Sequence, residues 1–156
     1  MARALFAALC MVASCAQAAE PARFVARQAL PDGEHVVVAE GDFEARSVGS
    51  YSIRLYSAAK EMTFSSGLIL PRNGSVENVV ISDVNADGQD ELIVVVRSVG
   101  SGSSVSAQAF SVANGDVTPL VSVSDLHPDA DLLAALRDKA IVREGVKQRQ
   151  VDRLKR

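Results

Sequence analysis

Leu92-Ile93-Val94-Val95-Val96 is the stretch on which the fold turns: five consecutive apolar residues, four of them β-branched, preceded by Asp90-Glu91 and followed by Arg97-Ser98. A run this short and this continuously apolar predicts a central strand covered on both faces, the anchor of a core. On either side of it the chain repeats one pattern, short β-branched runs separated by turn residues. Upstream, Pro31-Asp32-Gly33 turns the chain into His35-Val36-Val37-Val38-Ala39. Tyr51 to Tyr56 alternates, with Tyr51, Ile53 and Leu55 expected to face a core and Ser52, Arg54 and Tyr56 to face away. Residues 62–70 form a further candidate strand, and Asn73-Gly74 is expected to make a two-residue hairpin turn into residues 76–82.

Downstream, Gly100 to Ser104 interrupts the pattern, 105–112 resumes it, Asn114-Gly115 turns it, and 117–123 closes it. The fold expected is all-β, an antiparallel β-sandwich or small barrel of about eight strands with a C-terminal helix. That helix is signalled by a change of period. Leu132, Leu133, Leu136, Ala140 and Ile141 recur at helical spacing after Asp129 or Asp131 as N-cap. Three or four turns are expected, with Gly145 ending or weakening the helix and the remainder fraying.

The N-terminus has the three-part layout of a secretory signal: Arg3, an apolar run from Ala4 to Val12, and small residues at Ala16-Gln17-Ala18. Residues 1–18 therefore read as a signal peptide, 19–136 as the β domain with the start of its helix, and 137–156 as a basic tail. An alternative processing site, Val12-Ala13-Ser14-Cys15, is a weak lipobox that would leave a lipid anchor on Cys15. No segment reaches the roughly 20 apolar residues of a transmembrane helix. Both cysteines, Cys10 and Cys15, lie in this leader, so the exported domain is expected to have no internal disulfide and to depend on its core.

Charge divides sharply along the chain. Residues 19–136 carry sixteen acidic and seven basic side chains, whereas 137–156 carries eight basic and three acidic. An acidic body repels nucleic acid and anionic membranes and draws cationic partners, so no nucleic-acid role is expected. The basic tail reads as a solvated helix face or as a contact for an anionic surface.

Chemistry is concentrated in Asp83-Val84-Asn85-Ala86-Asp87-Gly88-Gln89-Asp90-Glu91. Asp83, Asn85, Asp87 and Glu91 at positions one, three, five and nine suit a hard cation such as Ca²⁺. Val94 occupies the twelfth position, so the loop is not an EF-hand and looks more like the short calcium loops of FG-GAP-type repeats. The alternative is a set of Asx turns with no metal. Neither His35 nor His127 has the partners of a catalytic base, and no nucleophile elbow or phosphate loop is present, so no enzymatic activity and no required cofactor are expected. The loop Ser101-Gly102-Ser103-Ser104 is a candidate binding element, with a plain flexible connection as its alternative.

Three stretches, Ala39 to Tyr56, Asp83 to Glu91 and Val95 to Gly102, together resemble the periplasmic inhibitors of invertebrate-type (I-type) lysozyme. The resemblance spans about residues 36–136. It implies a secreted β-sandwich, an I-type lysozyme as protein partner, and a Ser-Gly-x-Tyr loop that enters the enzyme's cleft. Ser101 and Gly102 match the loop's first two residues, while Ser104 stands where the Tyr belongs. Loss of such an aromatic anchor often costs 2 kcal/mol or more, so lysozyme binding would be weakened or redirected. The acidic body suits a basic lysozyme, and a homodimer is a further expectation. A calcium-stabilised envelope or adhesion module is the alternative function.

Overall fold

The computed structural model describes residues 22–59, 61–100 and 102–154. The expected signal peptide and lipobox, and Ser101 of the candidate loop, lie outside the described residues. In chain order the strands are β1 (Val25–Ala29), β2 (His35–Glu40), β3 (Val48–Tyr56), β4 (Phe64–Asn73), β5 (Ser75–Ser82), β6 (Glu91–Arg97), β7 (Val105–Ala113) and β8 (Asp116–Leu126). The helix α1 (Leu132–Leu154) follows them. They form two antiparallel four-stranded sheets, β1-β2-β3-β4 and β5-β6-β7-β8, so the sandwich holds and the barrel does not.

β6 has the position its composition predicts, inside the second sheet between β5 and β7. Leu92 and Val94 join Phe110, Val36, Val38, Ile53 and Leu55 in the core between the sheets. Ile93 and Val95 face the other way, with Ala107, Ala109, Val121 and Val123 beneath Leu136 and Ala140 of α1. The uninterrupted apolar run is thus explained, since one sheet face meets the opposite sheet and the other meets the helix. Burying such side chains contributes roughly 1.5–3 kcal/mol each.

Three local expectations need correction. Asn73-Gly74 is no hairpin, because β4 and β5 belong to different sheets. The required left-handed pair is missing: Gly74 has φ of 120°, whereas Asn73 is absent from the positive-φ residues that include Asn114 at 55° and Gly115 at 73°. Only Asn114-Gly115 has the two-residue geometry, closing the β7–β8 hairpin with Ala113 opposite Asp116. Gly74 instead turns the chain from one sheet to the other, and a Cβ there would run into the Arg97 carbonyl. The helix is also longer than expected, running through Gly145 to Leu154. Asp131 caps it, its Oδ1 accepting the Ala134 N–H at 2.9 Å, but Ile141 is exposed rather than docked. Finally, β1 was absent from the expected strands; it pairs along β2 with half its residues exposed and carries only a faint apolar signal.

Antiparallel pairing sorts the connections between two ends. The turns at 30–34, 57–63 and 114–115 and the Asp83–Glu91 loop lie at one end. The 41–47 loop, the Gly74 corner and the 98–104 loop lie at the other.

Candidate functional site

The end formed by 41–47, Gly74 and 98–104 is held by an unusual quantity of polar structure. Arg72 occupies a core-facing position of β4, in phase with Leu68 and Leu70, and its side chain is fully buried. Its guanidinium donates to the carbonyls of Ser50 (3.1 Å), Arg46 (2.7 Å), Ala45 (3.2 Å) and Gly74. Glu40, in phase with Val36 and Val38 on β2, lies 3.6 Å from it and accepts the Val76 N–H at 2.7 Å. A buried charge is tolerated only when paired and hydrogen-bonded, and this pair meets both conditions while tying β2 to β5 across the sandwich.

Glu44 extends the network. Its carboxylate accepts both the Ser50 N–H and, at 2.7 Å, the Ser50 hydroxyl, and the Ser50 amide and hydroxyl hold its carboxyl below the ordinary range. The Arg23 guanidinium donates to the Glu44 carbonyl, and the Gly74 N–H donates to Ser47 O at 2.8 Å. None of Arg72, Glu40 or Glu44 was anticipated as a site residue. The available signal was period two, which puts Arg72 and Glu40 on core faces where an unpaired charge is untenable.

The 98–104 loop rises from the same base. Ser98 N–H donates to Ser104 O at 2.9 Å, Ser103 N–H donates to Gly100 O at 3.3 Å, and Arg97 donates to Ser103 O at 3.2 Å. Gly102 and Ser103 are exposed, with Ser103 in the left-handed region at φ 43°. Ser104 is half-buried; its hydroxyl lies 2.9 Å from Ser98 Oγ and donates to Asp125 Oδ1 at 3.4 Å. Gly102 and Ser103 thus form the tip, and Ser104 belongs to the stem. Arg97 is itself clamped by Glu77, at 3.0 and 2.9 Å. A cleft of about 200 Å³ opens between the sheets below the loop, lined by Tyr51, Arg72, Ser98, Gln108 and Asp125 among others. Tyr51 is buried, which raises its phenol pKa, so it presents no aromatic face to a partner.

The Asp83–Glu91 loop stands at the opposite end. Its oxygens serve the loop's own backbone: Asp83 accepts the amides of Ala86 (2.7 Å) and Gly88 (3.0 Å), Asn85 that of Asp87 (2.9 Å), and Asp87 that of Gln89 (2.8 Å). These are Asx turns. Glu91 is buried and accepts the Val84 N–H at 2.8 Å. Burial pushes its carboxyl up, the Val84 amide draws it partly back, and the Asp87, Asp83 and Asp90 charges push it up again. Among the described residues no three His, Cys, Asp or Glu side chains are grouped as a metal site would need. No helix among the described residues is long and apolar enough to cross a membrane.

Comparison with known proteins points to the loop end. Residues 22–140 match the family model described as periplasmic lysozyme inhibitor of I-type lysozyme. A crystal structure of PliI-Ah, such an inhibitor from Aeromonas hydrophila, is 42% identical and superposes with a TM-score of 0.69, covering 72% of this chain and 98% of the other. A second, the Aeromonas hydrophila inhibitor in complex with Meretrix lusoria lysozyme, is 43% identical with a TM-score of 0.67, covering 73% and 95%. No curated protein matches the chain.

Proposed function

The chain belongs to the family of periplasmic inhibitors of I-type lysozyme, and on that premise we propose that it inhibits such a lysozyme by inserting the loop Ser101-Gly102-Ser103-Ser104 into the enzyme's substrate cleft. The observation that carries this reading is the 43% identical relative in complex with a lysozyme. Inhibition of this kind needs no chemistry from the inhibitor. A preorganised projection that occupies the cleft excludes the glycan, and the stem bonds from Arg97, Ser98 and Asp125 support such preorganisation by lowering the ordering cost of binding. With Ser104 turned toward Ser98 and Asp125, the loop offers no aromatic anchor of its own, which weakens its hold. The acidic body favours encounter with a basic enzyme.

The test follows lysis of peptidoglycan by a bivalve I-type lysozyme with increasing mature protein. Lysis should fall as inhibitor approaches and passes the enzyme concentration; undiminished lysis at a large molar excess overturns the proposal. Ser104→Tyr should strengthen inhibition. Export to the periplasm is part of the same proposal, supported by the family description and the leader sequence; a mature N-terminus after Ala18, rather than a lipid on Cys15, is the expected mass.

Calcium held by Asp83, Asn85, Asp87 and Glu91 in an envelope module is the second reading. It draws support from the negative charges that raise the Glu91 pKa, which a cation would offset. The loop's own hydrogen bonds weigh against it, because they close it without an ion. A chelator should therefore leave the melting temperature unchanged, whereas a fall of several degrees would favour calcium.

A further inference from the structure

Phe43 is fully exposed at the crest of the 41–47 loop. Isolated exposed apolar residues are ordinary on protein surfaces, and exposure alone says little. Here, however, the loop that displays the ring is fixed on every side. Arg72 binds the carbonyls of Ala45 and Arg46, Glu44 grips Ser50 through amide and hydroxyl, Arg23 holds the Glu44 carbonyl, and Gly74 donates to Ser47. A hairpin connection does not require a buried arginine to hold it. The same corner joins this loop to the Ser-Gly loop, since Gly74 packs directly on the Arg97 carbonyl and on Ser98, and Ser98 carries the stem of 98–104. Two rigid projections therefore share one base, one ending in Gly102-Ser103 and the other in a phenyl ring.

We propose that Phe43 is an aromatic anchor of the lysozyme-binding surface, seated in an apolar recess of the enzyme beside its cleft and supplying the large hydrophobic contact that Ser104 cannot. This rests on the inhibitor reading and adds a second loop and a binding residue to it. Interface energy concentrates in a few rigid aromatic side chains that lose little freedom on binding, and a phenyl ring on a pre-fixed loop meets that description.

The experiment titrates a bivalve I-type lysozyme with wild type, Phe43→Ala, Phe43→Tyr and Ile69→Ala by calorimetry, with melting curves and sedimentation on each. Ile69 is exposed on the outer face of the first sheet, away from both loops, and serves as control. Phe43→Ala should weaken Kd by about thirty-fold or more at unchanged melting temperature. Phe43→Tyr should retain binding and Ile69→Ala should match wild type. Wild-type affinity in Phe43→Ala overturns the inference while leaving the inhibitor reading intact. Loss of a dimer in that variant without change in Kd assigns the ring to self-association and equally overturns it. If wild type does not bind at all, the inhibitor reading fails and this inference with it.

Discussion

Glu91 and Glu44 both accept backbone amides, yet their surroundings pull them in opposite directions. Burial raises the folded-state pKa of Glu91, so its ionised form subtracts stability near neutral pH, and the loss is relieved as pH falls through that raised value toward the unfolded value of about 4.3. Glu44, lowered by the Ser50 amide and hydroxyl, adds stability above about 4.3 that disappears as pH falls through its lowered value. Wild type should accordingly gain stability relative to Glu91→Gln as pH is lowered from 7 to about 4.5 in urea titrations; parallel pH profiles would contradict the assignment. At this scale the sequence was only partly legible. Glu40 and Arg72 interrupt two alternating patterns, on β2 and β4, and alternation alone marks them as inward-facing. Their mutual contact at 3.6 Å depends on how the sheets' ends meet, which no local pattern encodes. Phe43 gave no signal at all, because a lone aromatic in a polar loop has no periodicity to betray its exposure.

Among the elements, β6 and β3 could be read directly, since five apolar residues in succession and a strict alternation each admit one burial pattern. The two Asn-Gly pairs show where reading stops. Asn114-Gly115 turns a hairpin and Asn73-Gly74 does not, because the second lies where the chain leaves its sheet and Arg72 binds the Gly74 carbonyl. The helix exceeds its expected length for a related reason: one Gly costs about 1 kcal/mol in a helix interior, too little to stop a segment rich in good helix formers. Its docking rests on a short stretch, with Leu136 and Ala140 buried, Lys139 donating to Ser122 O at 2.6 Å, and Arg137 reaching Ser82 Oγ at 3.2 Å. Leu136→Ala should thus destabilise the protein by roughly 2–5 kcal/mol and raise hydrogen exchange in α1 and the covered faces of β7 and β8. An effect confined within 0.5 kcal/mol would mean the helix is not part of the core.

For the whole molecule, the antiparallel order sets the two conspicuous loops at opposite ends, a separation that the linear spacing of 83–91 and 98–104 conceals. The acidic turn end is closed by its own Asx bonds, whereas the loop end exposes Phe43, Gly102 and Ser103 on a buried ionic frame. The account's central claim is that this second end meets the lysozyme. Hydrogen exchange of the inhibitor, alone and with a bivalve I-type lysozyme in excess, tests it most directly. Slowed exchange at 41–47 and 98–104 with no change at 57–63 and 83–91 is the predicted result; unchanged exchange at both loops, or protection confined to the 83–91 end, would contradict it.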